Sequence, residues 1–255
     1  MSTETLSAPV VTQKHKDDYR TKGFFILENV IPEEHLKILR DTVAYYLEQI
    51  HAEMDRMGKD VIGINRRNNR YFISNRWAER KEMARFLFSD YMADICRATI
   101  GETAWLFCEQ YVVKAAEVGM TFSWHQDSGY VKLPHKPYLS CWCALDDMTE
   151  ENGTVYMLPY SRAGTKTRVE HVKDEKTNDM VGYTGEDPGE PVICPAGSIA
   201  VFSSTCFHRS GSNKTNRQRR VYLAQYSPEA ILRDEKPIIL AEPFLKDGKR
   251  VREAK

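Results

Sequence analysis

The 255-residue chain has no excess charge of either sign: 36 Lys and Arg residues balance 36 Asp and Glu. That balance argues against the bulk electrostatic footprint by which a domain binds nucleic acid or an anionic membrane. No apolar run is long enough to span a bilayer, and the first residues lack the apolar core of a signal peptide. The six cysteines include no Cys-x-x-Cys pair, so the commonest zinc and dithiol signatures are missing. Cys141 and Cys143 would share one face of a strand. With Cys96, Cys108, Cys194 and Cys206 they read as small buried residues of a reduced, cytoplasmic protein. No internal repeat and no linker marks a second domain. Residues 15–255 therefore read as one domain behind a polar, aperiodic and disordered lead at 1–14.

The hydrophobic pattern divides the chain into a helical lead and a long run of strands. Gly23 to Leu27 is a short apolar strand, and Pro32 then opens a helix whose first turn carries Glu33 and Glu34. Leu36, Leu39, Val43, Tyr46, Leu47 and Ile50 follow at helical spacing and predict an apolar face against a sheet. A second helix is predicted over about 81–99, with Met83, Phe86, Leu87, Met92 and Ile95 as its core face. Strand signals then recur at 105–114, 121–125, 138–145, 154–158, 191–194, 198–202 and 219–226. Strands after a helical lead predict a mainly β sandwich or barrel with helices flanking one face.

Chemistry concentrates in Phe122-Ser123-Trp124-His125-Gln126-Asp127. On an extended strand, positions i and i+2 point to the same side, so His125 and Asp127 can aim at one point. His208, distant in sequence, supplies a second imidazole. Two histidines and one carboxylate occupy one face of an octahedral metal and leave three positions open, as in non-haem Fe(II) oxygenases. A lone His-x-Asp is common and carries little weight. Arg219 opens the strand after His208, where its guanidinium could enter the same cavity and grip a carboxylate by two parallel bonds. It also lies in a basic run with Arg217 and Arg220, which is equally the pattern of a solvated face.

Together, His125-x-Asp127, His208 and Arg219 resemble the phytanoyl-CoA dioxygenase family of 2-oxoglutarate-dependent oxygenases. So do Asn152-Gly153-Thr154, Leu158-Pro159-Tyr160-Ser161 and Pro195-Ala196-Gly197-Ser198, and the resemblance runs from about 20 to 228. It implies a double-stranded β-helix, the cupin-like jelly roll, which periodicity alone does not give. It implies that His125, Asp127 and His208 hold Fe(II) and that Arg219 binds the distal carboxylate of 2-oxoglutarate, with O₂ as second co-substrate. Ser210 and Trp142 match positions lining the co-substrate pocket, though Trp142 is equally a core residue. A carboxylate at Asp127 makes hydroxylation, with loss of succinate and CO₂, the default outcome; desaturation, epoxidation and ring chemistry stay open. The sequence ends Arg252-Glu253-Ala254-Lys255, without the peroxisomal signal of the family's best-known member, so phytanoyl-CoA is not the expected substrate.

The remaining candidates concern a small-molecule substrate. The stretch 65–72 reads as a donor-rich loop in which Arg70 and Tyr71, with Arg76 nearby, meet an anionic group or lie on a solvated basic face. Trp124, Gln126 and Tyr130 surround the metal motif and either wall the pocket or pack ordinarily. Gln110 and Lys114 share one side of a strand and contact co-substrate or substrate, or make structural hydrogen bonds. His135 sits in a Pro-flanked loop as an exposed residue. Residues 164–190 read as a charged surface insertion and a candidate lid. A cupin-type enzyme that does not use 2-oxoglutarate and a non-catalytic binding module are the competing readings.

Overall fold

A computed structural model of the chain describes residues 10–117, 121–175 and 179–252. Of the expected disordered lead, 1–9 lie outside the described residues. The rest is ordered: Thr12 caps an unforeseen helix, α1 (Gln13–Lys22), by accepting from the His15 backbone N–H. β1 (Phe24–Leu27) follows, then α2 (Glu33–Met57), whose predicted face is buried and extends to Met54. Each fully buried aliphatic side chain contributes roughly 1.5–3 kcal/mol. The expected loop at 65–72 is instead part of a meander, β2 (Val61–Ile62), β3 (Asn65–Arg66) and β4 (Arg70–Ser74). The second helix is two, α3 (Met83–Leu87) and α4 (Asp90–Thr99). Ser89 between them is extended, and the break seats the fully buried Phe88 edge-on to Trp77 and Phe244.

The strands that follow are β5 (Ala104–Lys114), β6 (Phe122–His125), β7 (Leu139–Ala144) and β8 (Val155–Leu158). After the short α5 (Tyr160–Ala163), the insertion carries a hairpin of β9 (Val172–Lys173) and β10 (Met180–Val181). Then come β11 (Glu190–Pro191), β12 (Ile199–Ser203), β13 (Phe207–Ser210) and β14 (Arg219–Ser227). Two further hairpins, absent from the sequence reading, close the described chain: β15 (Leu232–Arg233) with β16 (Lys236–Pro237), and β17 (Glu242–Lys246) with β18 (Lys249–Arg250).

Among the described residues two antiparallel sheets face each other. The larger runs β1-β12-β7-β14-β5-β4-β3-β2, with β17 also on β5; the smaller runs β11-β8-β13-β6. This is a jelly roll. The larger sheet is covered on both sides, which explains why β7 and β12 are buried at every position and show no polar alternation. Leu139, Cys141 and Cys143 of β7 face the helices, in a core shared with Leu39, Val43 and Ile95. Trp142 and Ala144 face the other sheet, with Met157 and Phe202. The inter-sheet space is apolar at one end and opens as a cavity at the other.

Candidate active site

β6 and β13 are neighbours in the smaller sheet, and His125 and His208 are direct register partners. Their rings lie 4.2 Å apart on the inner face. β6 ends at His125, so Asp127 is not a strand residue; it opens a short 3₁₀ turn. Gln126 keeps an extended backbone (φ −110°, ψ 139°), which preserves the two-residue reach and brings Asp127 to the same side as His125. One donor atom from each of His125, Asp127 and His208 lies within 4.8 Å of the others. Asp127 Oδ1 is 3.5 Å from His208 Nε2.

The surroundings fit a metal. His125 Nδ1 donates to its own strand at Ser123 O (2.7 Å), and His208 Nδ1 to Cys206 O (3.2 Å). Both rings are thereby oriented with Nε2 left as a lone-pair donor. Protein packed around the His125 ring, helped by the neighbouring His208, lowers its pKa to about 4, so at neutral pH it is the uncharged form a metal requires. Asp127 Oδ2 accepts from Ser140 Oγ (2.5 Å) and Gln225 Nε2 (2.9 Å), which leaves Oδ1 for coordination. Neither supporting residue was singled out from sequence. Yet Ser140 lies two positions from Trp142, and Gln225 six from Arg219, both at even spacing and hence on the inward face. Removing both supports (Ser140→Ala with Gln225→Leu) is expected to weaken metal binding about 10- to 100-fold. Calorimetric titration with Mn(II) measures this, and unchanged affinity would mean that Asp127 needs no support.

Arg219 lies across the cavity. It is 1% exposed, with its guanidinium 5.7 Å from the Trp142 ring and Nη2 donating to Gly153 O (3.0 Å). Gly153 (φ +76°) packs so tightly that a Cβ there would stand 2.5 Å from Gly211 O. Nε and Nη1 of Arg219 have no partner among the described residues. Burial lowers the Arg219 pKa to about 10, against the pull of Asp146, and it stays cationic at neutral pH. The basic run is thus split by strand alternation: Arg220 turns away to pair with Asp146 at 2.6 Å, and Arg217 is exposed. Ser210, on the same face as His208, accepts from Lys114 Nζ (2.8 Å), which also donates to Gly211 O. Burial and the adjacent Arg219 hold the Lys114 ammonium well below its usual pKa.

A cavity of about 680 Å³ joins these groups, lined among others by Gln110, Trp142, Ser210, Arg219, Arg70 and Tyr130. Gln110 Nε2 donates to Ser74 Oγ. Four expected substrate residues do not line it: Lys114, which meets it only through Ser210, and three that face elsewhere. Tyr71 follows Arg70 on a strand, so it faces the opposite side: fully buried in the helix-side core, with its hydroxyl 2.7 Å from His51 Nε2. Gln126 points away from the metal and binds the insertion, donating to Thr167 O and accepting from Val169 N. Trp124 packs outward on Leu158, Phe207 and Tyr183. His135 hydrogen-bonds Ser128 and is half-buried rather than exposed. The insertion is held down on β6, Gly182 N–H donating to Trp124 O and Asp179 accepting from Ser123 N–H, and it contributes Asp179 to the cavity wall.

A sequence model of the phytanoyl-CoA dioxygenase family matches residues 19–221. The chain belongs to the phytanoyl-CoA dioxygenase family. As a member it is an Fe(II)- and 2-oxoglutarate-dependent dioxygenase. A probable alpha-ketoglutarate-dependent hypophosphite dioxygenase from Stutzerimonas stutzeri is 24% identical over 225 residues, 82% of this chain and 76% of its own length. The peroxisomal phytanoyl-CoA dioxygenase of Mus musculus is 22% identical over 241 residues, covering 85% and 68%. EctD from S. alaskensis, solved with 2-oxoglutarate and 5-hydroxyectoine, superposes with a TM-score of 0.67 at 20% identity, over 94% of this chain and 86% of that one. The carbocyclase SnoK of nogalamycin biosynthesis gives 0.64 at 14% identity, over 93% and 95%. At such identities the structural likeness shows a shared fold alone. No helix among the described residues is long and apolar enough to cross a membrane.

Proposed function

We propose that this family member oxidises a C–H bond of a small molecule, with hydroxylation as the default outcome, and that His125, Asp127 and His208 hold its iron. Arg219 takes the distal carboxylate of 2-oxoglutarate, with Ser210 beside it and Trp142 as the wall. The observation that carries this reading is a buried guanidinium with two unpartnered nitrogens, in the same cavity as a His-Asp-His donor set. A buried cation without its anion is costly, and a carboxylate accepting from Nε and Nη1 would satisfy both donors.

Iron and 2-oxoglutarate supply the oxidising power: substrate, 2-oxoglutarate and O₂ become hydroxylated substrate, succinate and CO₂. The chain itself binds and orients. Lys114 holds the Ser210 hydroxyl in place, and Ser140 and Gln225 fix the Asp127 carboxylate. Phe122, Val155, Phe202 and Leu223 line the cavity with apolar surface and limit water near the metal. Tyr130 stands edge-on to His125 at 5.6 Å and is 53% exposed, so it marks the open side through which substrate arrives.

The relatives' names span hypophosphite, an acyl-CoA and natural products, so the substrate is left to experiment. Purified protein is to be incubated with Fe(II), 2-oxoglutarate and O₂ across a small-molecule library. Succinate release stimulated by particular compounds is expected. Product formation without 2-oxoglutarate would favour a cupin-type enzyme and defeat the proposal.

A further inference from the structure

Arg70, Lys114 and Arg219 are register partners across three adjacent strands: Arg70 opposes Lys114 in β4–β5, and Lys114 opposes Arg219 in β5–β14. Register partners share a face, so three cations form one row along the inner wall. The row is buried, with Arg70 9%, Lys114 1% and Arg219 1% exposed. Its members have different tasks. Lys114 is occupied by Ser210 and Gly211. Arg219 lies against Trp142, whereas Arg70 lies 5.6 Å from the Phe72 ring and 5.9 Å from the Phe122 ring. The two guanidinium heads are therefore held against separate aromatic surfaces, on strands about 10 Å apart. Arg70 lines the cavity, and its Nε has no hydrogen-bond partner among the described residues.

Charge balance within the described cavity points the same way. With iron and 2-oxoglutarate bound as assigned above, Asp127 and the two carboxylates of 2-oxoglutarate offset the metal and Arg219. Asp179 stands as a single carboxylate in the field of both Lys114 and Arg70. Arg70 is in no ion pair among the described residues, and its Nε is unpartnered there. The other lining cations differ: Arg209 turns outward over Tyr156 and donates to Pro188 O, while Lys132 and Arg233 are exposed. Beside Arg70 the wall is apolar, formed by Phe72 and Phe122 with Val112 opposite Phe72, and Ile64 of the same cavity is exposed.

We infer that the substrate carries an oxyanion group on an apolar body, and that Arg70 holds that group while the apolar wall of Phe72, Phe122 and Val112 beside it takes the body. This rests on the assignment of Arg219 to 2-oxoglutarate. The fork of Arg70 suits a carboxylate and a phosphoryl or phosphonyl oxygen pair alike, so oxyanion chemistry is the shared feature.

The test uses two fluorescent probes with nearly the same apolar body, anilinonaphthalene sulfonate (one anionic group) and phenylnaphthylamine (none), titrated into full-length protein loaded with Mn(II) and 2-oxoglutarate. The sulfonate is expected to bind the wild type. Arg70→Ala should weaken it by about tenfold or more, Arg70→Lys should recover part of the loss, and phenylnaphthylamine and 2-oxoglutarate affinities should be unchanged in both variants. Displacement of the sulfonate by phenylbutanoate assigns the natural head group to the carboxylates, and displacement by phenyl phosphate to the tetrahedral oxyanions. Failure of the sulfonate to bind loaded wild type, or equal binding to Arg70→Ala, overturns the inference while leaving Arg219's role intact. Loss of 2-oxoglutarate affinity in Arg70→Ala would place Arg70 on the co-substrate instead. If wild-type protein binds no 2-oxoglutarate, the underlying assignment falls as well.

Discussion

Arg219→Met is expected to weaken 2-oxoglutarate binding by roughly 30- to several-thousand-fold, because truncating one partner of a buried charge pair costs about 2–5 kcal/mol. The same change should leave the melting temperature of the co-substrate-free protein level or higher. Arg219 is buried with Nε and Nη1 unpartnered among the described residues, while Nη2 donates to the Gly153 carbonyl. Replacing an uncompensated buried cation with an apolar side chain of similar length removes a desolvation cost. Opposite signs for ligand affinity and intrinsic stability distinguish a binding residue from a structural one. Calorimetric titration of 2-oxoglutarate into Mn(II)-loaded protein and a melting curve of the free protein measure the two. Intact affinity, or a melt that falls sharply, would make Arg219 architectural.

The second large effect is expected at His208. His208→Ala removes one of three donor atoms from the proposed metal face, and because loss of a mere supporting contact already costs 10- to 100-fold in metal affinity, losing a ligand should cost at least about a hundredfold. Succinate release should fall to the floor of the assay at micromolar Fe(II). His208 packs against Phe202 with ring centroids 4.7 Å apart, so some stability is lost with the ring. His208→Gln keeps more of the volume and separates ligand loss from packing loss: it should also be inactive while melting closer to wild type. Turnover retained in both variants would move the metal elsewhere.

Much of this site was legible because strands impose a period of two. His208 and Ser210 are two apart, Gln110 and Lys114 four apart, and each pair does share the inner face. The same rule shows why Tyr71 failed as a candidate: read as part of a loop, 65–72 carried no alternation, whereas as β4 it sends Arg70 inward and Tyr71 to the helices. Gln126 failed for a related reason, standing between two inward residues and so facing out. Asp179 had no signal at all, being one carboxylate in a charged insertion whose placement depends on contacts with β6. The break at Ser89 was likewise hidden, since Phe88 enters the core through tertiary packing that local periodicity does not report. The jelly roll came from family resemblance; the strand list alone was compatible with several closures.

One feature of the architecture bears on how the protein is made. Asp127 is braced by Gln225 from 98 residues downstream, and Lys114 holds Ser210 from 96 residues away. During synthesis His125 and Asp127, two of the three proposed ligands, leave the ribosome long before β13 and β14 exist. Contacts of such long range form late and slowly. On the proposed assignment, iron capture is a closing event of biogenesis: until Ser227 has emerged and β14 has zipped between β5 and β7, the nascent chain has histidines but no pocket.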